Sequence, residues 1–221
     1  MSAQGELFTP RAEERMSFVL RLRARGLADV AVLRALETVP RHLFVPHLYA
    51  DLAWRDIALP IACGQTMSEP FTLARVMEAL RVAPGHRVLE VGAGSGYATA
   101  ILARLGAEVV SFERYRTLAT EASVRLRELG FANARVIHGD GLAPPADIGV
   151  FDRIFIDGVI AGVPDALMAL LAADGAIVSG FAAGASPVVR RVAQEHDGGW
   201  SETSLFAAAL EPLQPGVSVV Y

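Results

Sequence analysis

Arg87-Val88-Leu89-Glu90-Val91-Gly92-Ala93-Gly94-Ser95-Gly96-Tyr97 is the stretch of sequence that decides the fold. Its apolar residues form a short run, and three glycines at every second position interrupt that run. An apolar periodic segment then follows from Tyr97 to Leu105. This pattern predicts a buried strand, a tight turn and a helix, which together open a βαβ unit. The glycines permit positive φ angles and let a ligand lie directly against the backbone.

A second predicted strand, from Glu108 to Glu113, ends in a carboxylate. Glu113 stands about 20 residues past the glycines, where a doubly wound fold places an acid on a ribose. A dinucleotide site needs G-x-G-x-x-G, whereas this chain has G-x-G-x-G, with Tyr97 in place of the last glycine. With Glu90 two residues before the first glycine, the pattern resembles the glycine loop of class I S-adenosyl-L-methionine methyltransferases.

The composition excludes several classes of function. The chain has 221 residues and is 52% hydrophobic, so it can bury a full core and is predicted to form one domain. A net charge of −4 argues against a nucleic-acid-binding surface. All 20 basic residues are arginine, which excludes lysine-based catalysis. The single cysteine, Cys63, excludes an internal disulfide, no histidine has metal-ligand spacing, and we predict no bound metal.

The N-terminal residues lack the basic and apolar regions of a signal peptide. No uninterrupted apolar run approaches the roughly 18 residues of a membrane span. We therefore expect a cytoplasmic enzyme with no membrane partner.

Residues 1–80 are predicted to form N-terminal helices and an active-site loop, and residues 81–221 an α/β core within the same domain. One helix is predicted to begin at Thr9-Pro10, and another to be capped by Asp29. Residues 57–70 are predicted to form a long ordered loop, and such loops are usually functional. Near the C-terminus we predict a helix over residues 188–195 and strands over residues 204–210 and 217–221.

Three stretches carry a more specific resemblance. They are Arg41-His42-Leu43-Phe44-Val45-Pro46, Gly64-Gln65-Thr66-Met67-Ser68-Glu69-Pro70, and residues 88–97. In this order and spacing they resemble the protein-L-isoaspartate O-methyltransferase family, from about residue 30 to residue 175. The Gly-Gln-Thr-x-Ser-x-Pro segment is more specific than the glycine loop, which many methyltransferases share.

The resemblance implies a Rossmann-like class I methyltransferase fold: a mostly parallel seven-stranded sheet with helices on both faces and an N-terminal helical extension. It implies S-adenosyl-L-methionine as the cofactor and S-adenosyl-L-homocysteine as its product. The serine that matches Ser68 hydrogen-bonds the acceptor, and Asp140, within a Gly-Asp-Gly turn, faces the adenine. The cofactor-binding residues that it implies are Gln65, Thr66, Glu90, Gly92, Gly94, Gly96, Glu113, Arg114, Asp140 and Gly141.

The later half of the chain departs from that family. Asp157-Gly158-Val159 replaces a Thr-Ala-Ala-like stretch after the fourth strand, and residues 180–184 replace Pro-Val-Gly after the fifth. The family's C-terminal Phe-Val-Pro-Leu strand is matched only loosely by residues 209–213. These regions help form the family's peptide-acceptor site, so cofactor binding carries over better than substrate identity. Asp157 is either a helix or loop cap, or an acid that faces the active cleft.

Other candidate residues also have purely structural interpretations. Ser68 directly precedes Glu69-Pro70 and a helix, which is a good N-cap position. Gln65 and Thr66 can simply brace their loop. Glu113 can be a surface residue at the end of a strand. Asp140 can be a turn-forming aspartate between two glycines.

We predict S-adenosyl-L-methionine-dependent methylation of a carboxylate, and the resemblance implies the isoaspartyl carboxylate of damaged proteins or peptides, a repair reaction. Such an acceptor is already ionised at neutral pH, so alignment and desolvation matter more than acid–base help. Two alternatives stay open: a related methyltransferase with a different, small-molecule acceptor such as a small carboxylate, and a catalytically lapsed cofactor-binding partner protein. No nucleic-acid partner is expected, and the sequence leaves the oligomeric state open.

Overall fold

The structure, a computed structural model, describes residues 12–106, 108–184, 186–195 and 199–219. The α-helices in these ranges are Ala12–Ala24 (α1), Val30–Thr38 (α2), Pro70–Leu80 (α3), Tyr97–Leu105 (α4), Arg116–Glu128 (α5) and Asp165–Met168 (α6). The strands are Leu59–Pro60 (β1), Thr66–Met67 (β2), Arg87–Val91 (β3), Glu108–Glu113 (β4), Ala134–His138 (β5), Phe151–Ile160 (β6), Leu171–Phe181 (β7), Val188–Gln194 (β8) and Trp200–Ala207 (β9). Single turns of 3-10 helix lie at Arg41–Phe44, His47–Leu52, Ala62–Gly64 and Ala146–Ile148.

Seven strands form one sheet in the order β5-β4-β3-β6-β7-β8-β9. The pairs from β5 to β7 are parallel, and β8 and β9 are added antiparallel. The chain runs outward from β3 to β5 and then returns to place β6 on the other side of β3. Ligands bind at the carboxyl ends of the strands at such a reversal. The predicted seven-stranded, mostly parallel architecture is confirmed.

The two faces of the sheet are covered unequally. Helices α1 to α5 cover one face, where Phe18 and Ile101 share a buried cluster with Val88 of β3. The opposite face buries Leu89, the next residue of β3, against Leu167 of the short helix α6. Neighbouring residues of β3 enter different clusters because successive side chains of a strand point to opposite faces. Within the described ranges, no helix is both long and apolar enough to cross a membrane.

The N-terminal helices follow the prediction where the structure describes them. Asp29 caps α2, since its side chain accepts hydrogen bonds from the N–H groups of Ala31 and Val32. The predicted helix start at Thr9-Pro10 lies outside the described residues. Helix α1 and helix α2 contribute to the same buried cluster as the sheet, so residues 12–80 pack onto the core and not beside it.

Two predictions near the C-terminus are wrong. The helix predicted over residues 188–195 is absent, and Val188–Gln194 form strand β8 instead. Val189, Val192 and Ala193 are buried with the spacing of one helix face, but β7 and β9 both pair with this segment and override that periodicity. The strand predicted over residues 204–210 is found, shifted toward the N-terminus, as β9. Residues 217–219 are not in a strand, and residues 220–221 lie outside the described part.

Candidate active site

A cavity of about 290 Å³ opens where the strand order reverses, at the carboxyl ends of β3, β4 and β6. Cavities that hold small molecules usually begin at about 300 Å³. The loops that follow these strands line it, together with the loop that leads into α3 and a C-terminal segment, residues 209–214. The predicted site residues on its surface are Gln65, Thr66, Ser68, Gly92, Gly94, Glu113, Arg114, Asp140 and Gly141.

The glycine loop after β3 shapes one side of the cavity. Gly92 and Gly94 have φ angles of 94° and 53°, in the region that favours glycine. The N–H of Gly92 donates to the carbonyl of Phe112 on β4 at 2.8 Å, which fixes the loop against the sheet. A Cβ atom at Gly92 would stand 3.3 Å from the backbone oxygen of Asp157, and one at Gly94 would stand 3.4 Å from the side chain of Ile61. Side chains at either position would therefore intrude on the cavity.

Glu113 ends β4 with only 5% of its surface exposed, which rules out the surface interpretation. Its Oε2 accepts a hydrogen bond from the N–H of Gly94 at 2.8 Å, and its Oε1 accepts one from the N–H of Tyr115 at 2.8 Å. Burial raises the pKa of Glu113, and these backbone hydrogen bonds oppose the rise. Each oxygen keeps a second lone pair, so the carboxylate can also accept hydrogen bonds from ligand hydroxyls.

Asp140 combines its two interpretations, because it forms a turn and also lines the cavity. Its Oδ1 accepts a hydrogen bond from the N–H of Leu142 at 2.9 Å, and its Oδ2 accepts one from the N–H of Gly216 at 2.7 Å. Arg114 donates through Nε to the carbonyl of the same Gly216 at 3.0 Å. Two predicted cofactor residues, Asp140 and Arg114, thus hold Gly216, just beyond the C-terminal segment. The sequence did not predict this contact.

Glu90 and Gly96 were predicted to bind the cofactor, but they lie behind the cavity surface and not on it. Glu90 is fully buried, and its carboxyl accepts hydrogen bonds from the hydroxyls of Thr99, at 2.5 Å, and Ser111. Burial raises the pKa of Glu90 to about 8. A Cβ atom at Gly96 would lie 3.1 Å from that of Ala122 on α5, so this glycine permits close helix packing. Both residues support the glycine loop from beneath.

The loop before α3 crosses the cavity as the two-stranded ribbon of β1 and β2. Gln65 donates through Nε2 to the carbonyl of Cys63 at 3.3 Å and to the hydroxyl of Tyr115 at 3.4 Å. These contacts brace the loop, and Gln65 also faces the cavity, so the residue serves both interpretations. Thr66 is exposed on the cavity surface.

Ser68 is not the N-cap of α3. Glu69 occupies that position, and Pro70 follows; the side chain of Glu69 accepts a hydrogen bond from the hydroxyl of Thr72 at 2.5 Å but none from a backbone N–H of the first turn. The hydroxyl of Ser68 donates instead to Oδ1 of Asp157 at 3.4 Å, across 89 residues of sequence. Ser68 therefore does not cap the helix, and its hydroxyl is directed to Asp157 at the cavity surface.

Asp157 is an acid that faces the cleft, the second of its two interpretations. Strand β6 advances from Ile156 to Val159 while β7 advances only from Ser179 to Gly180, so Asp157 is part of a bulge. Bulges next to sites redirect side chains in this way. Burial raises the pKa of Asp157 to about 6; the hydrogen bond from Ser68 opposes the rise, and the Glu113 carboxylate adds to it. The sequence carried one signal for this role. Asp157 directly follows the predicted fourth strand, which lies beside the strand that carries the glycine loop.

Gly158 lets the C-terminal segment close over this bulge. A Cβ atom there would lie 2.5 Å from Cγ of Leu213 and 2.9 Å from the carbonyl oxygen of Glu211. The N–H of Val159 donates to the carbonyl of Glu211 at 2.8 Å, and the N–H of Leu213 donates to the carbonyl of Val159 at 2.9 Å. The two departures from the family pattern, at residues 157–159 and 209–213, therefore form one contact.

Arg41 was not predicted as a site residue, yet it anchors the loop. It is fully buried, and its guanidinium donates to the carbonyls of Ala53 at 2.8 Å, Ile57 at 3.1 Å and Ser68 at 3.0 Å. Burial lowers the pKa of Arg41 to about 10. The signal in the sequence was an arginine in an otherwise apolar segment between two prolines.

Carboxylates dominate the charge of the cavity. One basic and five acidic residues line it: Arg114, Glu69, Glu113, Asp140, Asp157 and Glu211. A diphosphate is anionic, so this acidic surface suits a ligand with positive charge and hydroxyl groups better than a dinucleotide. Among the described residues, no three His, Cys, Asp or Glu side chains are grouped to hold a metal ion.

Comparison with known proteins adds sequence relatives. A family model described as Protein-L-isoaspartate(D-aspartate) O-methyltransferase matches residues 13–214. Protein-L-isoaspartate O-methyltransferase 2 of Rhodopseudomonas palustris (strain HaA2) is 46% identical over 205 residues, which cover 93% of this chain and 94% of the relative. Protein-L-isoaspartate O-methyltransferase of Bradyrhizobium sp. (strain ORS 278) is 50% identical over 167 residues, which cover 75% of this chain and 77% of the relative.

A solved structure shares the fold. A crystal structure from Plasmodium falciparum, described as a protein-L-isoaspartate O-methyltransferase in complex with S-adenosyl-L-homocysteine, superposes with a TM-score of 0.80. The superposition covers 90% of this chain and 98% of that one, at 23% sequence identity. The likeness confirms the class I methyltransferase architecture.

Proposed function

The chain belongs to the protein-L-isoaspartate O-methyltransferase family, and we propose that its cavity performs that family's reaction: S-adenosyl-L-methionine-dependent methylation of the isoaspartyl carboxylate in damaged proteins and peptides. The ester can cyclise to a succinimide and return in part to normal aspartate, which makes the reaction a repair step. The observation that carries the proposal is that Ser68 faces the same cavity as the glycine loop and Glu113.

We call Gly92, Gly94, Glu113 and Asp140 the cofactor wall, and we propose that it binds S-adenosyl-L-methionine. When bound, this cofactor supplies a methyl group on a sulfonium that leaves as a neutral thioether. The space that a Cβ atom at Gly94 would fill supports a place for its methionine part against the loop. The lone pairs that remain on Glu113 suit ribose hydroxyls, and Asp140 lines the side where the resemblance expects adenine.

We call Ser68, Asp157, Pro212 and Leu213 the acceptor wall, since these residues line the same cavity as the cofactor wall. A carboxylate loses no proton when it is methylated and is already ionised at neutral pH, so no general base is required. The hydroxyl of Ser68 is the hydrogen-bond donor that orients the acceptor, and Pro212 and Leu213 help to exclude water. Correct alignment of reactants can lower a barrier by about 7–11 kcal/mol.

We assign different tasks to the two parts of this single domain. Residues 1–80 supply the loop with Ser68, and residues 81–221 supply the cofactor wall. The buried cluster that joins Phe18 of α1 with Tyr97 of α4 supports one domain and not two. The single cysteine cannot form an internal disulfide. This fits an enzyme of the cytoplasm, where disulfides are rare.

The test is transfer of a labelled methyl group from S-adenosyl-L-methionine to an isoaspartyl peptide, with the aspartyl peptide of the same sequence as the control. We expect transfer to the isoaspartyl peptide only. Equal transfer to both peptides would contradict the assigned specificity. Tight binding of S-adenosyl-L-homocysteine without transfer to either peptide would favour a lapsed enzyme.

A further inference from the structure

We propose that Asp157 is a positioning residue that must carry a proton before Ser68 can donate its hydroxyl to a carboxylate acceptor. The inference rests on the proposed function, because it concerns the acceptor of that reaction. It goes beyond that function by adding a second residue to the acceptor site and by setting its protonation state.

Ser68 and Asp157 have few protons to share between them. A serine hydroxyl has one proton to donate and two lone pairs. In the structure that proton is directed to Oδ1 of Asp157, at 3.4 Å. Ser68 then presents only lone pairs to the cavity, and an ionised Asp157 presents more. A carboxylate acceptor also carries only lone pairs, so this state of the pair repels it.

A proton on Asp157 reverses the hydrogen bond. The carboxylic acid then donates to Oγ of Ser68, and the hydroxyl of Ser68 can turn and donate to the acceptor. The proton stays within the pair and nothing is consumed. The same two side chains thus change from a repelling surface into a donor through the gain of one proton.

The surroundings of Asp157 favour that protonated state. Glu113 on β4 is the titratable group whose charge raises the pKa of Asp157, and the charge of Asp157 in turn raises the pKa of Glu90 on β3. From the loop before α3, Ser68 is the polar group in contact. Glu211 of the C-terminal segment and Arg114 after β4 line the same cavity, but Asp157 forms no ion pair with any residue that the structure describes. An arriving carboxylate adds a like charge and so favours the proton further.

Asp157 is held in place by the elements around it. The bulge sets its direction, and the C-terminal segment pairs with Val159 just behind it. A Cβ atom at Gly158 would meet Leu213 at 2.5 Å, which shows how closely that segment lies against the bulge. With its backbone fixed, Asp157 meets an anionic acceptor most readily by taking up a proton.

The test is the pH profile of kcat/KM for an isoaspartyl peptide, measured for wild type, for Asp157→Asn and for Asp165→Asn. Asparagine keeps the shape of Asp157 and donates a hydrogen bond at every pH. Asp165 is an exposed acid at the start of α6, so its variant makes the same chemical change far from the cavity. The affinity for S-adenosyl-L-methionine is measured over the same pH range.

We expect kcat/KM of wild type and of Asp165→Asn to fall by about 50-fold from pH 6 to pH 8, the loss for a group with a pKa of about 6 that must be protonated. Asp157→Asn should vary less than about threefold over this range and exceed wild type at least tenfold at pH 8. The affinity for S-adenosyl-L-methionine should not show the pH dependence of the wild-type kcat/KM.

Three results would overturn the inference. Asp157→Asn with the steep wild-type profile would show that another group titrates. A loss of more than tenfold in Asp157→Asn at every pH would show that the ionised carboxylate is needed. A flat wild-type profile would show that no proton is required. Absence of transfer by all three proteins at every pH would instead contradict the proposed function, and this inference with it.

Discussion

The two walls of the cavity are built in different ways. The cofactor wall is made of the backbone of the glycine loop and of two carboxylates, Glu113 at the end of β4 and Asp140 just after β5. Glu113 holds the amides of Gly94 and Tyr115, and Asp140 holds those of Leu142 and Gly216. The acceptor wall is made of side chains that are far apart in sequence, since 89 residues separate Ser68 from Asp157. The cofactor wall therefore follows three consecutive parallel strands, β3 to β5. The acceptor wall exists only when three distant segments meet.

The difference explains where the chain keeps the family pattern and where it departs. The cofactor wall needs glycine at positions with positive φ, whatever the acceptor is. In the acceptor wall, the bulge at Asp157 and the C-terminal segment pack on each other, so they can change together. The following variants test whether the two walls can be damaged independently.

The largest effect is expected for Gly94→Val in the cofactor wall. The new side chain would occupy the cavity, and a β-branched residue is strained at a φ of 53°. Calorimetry with S-adenosyl-L-homocysteine should show affinity lowered by more than about 100-fold, or 2.7 kcal/mol. Gly130→Val is the matched control, since Gly130 also has a positive φ but has no atom near its Cβ position. The control should lose stability and keep its affinity; equal losses of affinity in both variants would refute a direct role for Gly94.

Glu113→Ala should weaken S-adenosyl-L-homocysteine binding by about 1.5–3 kcal/mol, the size of lost charge-assisted hydrogen bonds. Part of this loss should come from the amides of Gly94 and Tyr115, which lose their acceptor. Glu113→Gln keeps an acceptor oxygen and should lose less. An unchanged dissociation constant in Glu113→Ala, measured by the same titration, would remove Glu113 from the cofactor wall.

Ser68→Ala should damage only the acceptor wall. Turnover of the isoaspartyl peptide should fall at least tenfold, or about 1.4 kcal/mol, because the acceptor loses its donor. Cofactor affinity and the stability of α3 should hold, since Glu69 and not Ser68 is the N-cap. Ser68→Asp should fold and be inactive, because its charge would repel the acceptor. Turnover at the wild-type level in Ser68→Asp would mean that no carboxylate binds at this residue.

The smallest effect concerns Glu90, which supports the cofactor wall from beneath. Its pKa is about 8 in the folded chain and lies near 4.3 in an unfolded one, so the native state holds the extra proton between these values. Its contribution to stability is complete below the lower value and is lost as the pH rises through the higher one. Between pH 5 and pH 8 the free energy of unfolding should therefore fall less in Glu90→Gln than in wild type. The difference between the two decreases should be about 1 kcal/mol or more.

Urea unfolding at both pH values measures this difference. Glu128→Gln, on the exposed end of α5, is the matched control and should follow wild type. Glu113 and Asp157 also have raised pKa values, so some pH dependence should remain in Glu90→Gln. An identical loss of stability in wild type and Glu90→Gln would show that Glu90 is not protonated in the folded protein.

The sequence predicted the cofactor wall well because its determinants are local. The spacing of Gly92, Gly94 and Glu113 follows from one strand, one turn and the next strand. The mostly parallel pairing of the sheet followed from the same βαβ logic. Glu90 and Gly96 belong to the same motif, but a motif does not show on which side of the loop each side chain lies.

The acceptor wall could not be predicted in the same way, since it depends on contacts between distant segments. The direction of Asp157 comes from a register shift between β6 and β7. The hydrogen bond from Arg41 to the carbonyl of Ser68 spans 27 residues. In the cofactor wall, the contact of Gly216 with Asp140 was missed for the same reason, since it spans 76 residues. Strand β8 was missed for a related reason: its helical periodicity is overridden by pairing on both sides.

The most direct test of the account is a competition in one reaction. The protein and S-adenosyl-L-methionine are mixed with equal amounts of an isoaspartyl peptide, its aspartyl counterpart and a small free carboxylate such as succinate, and mass spectrometry identifies the methylated product. The account predicts a base-labile methyl ester on the isoaspartyl peptide and on neither competitor, with Ser68→Ala at least tenfold slower. Methylation of the small carboxylate in preference to the isoaspartyl peptide would contradict it.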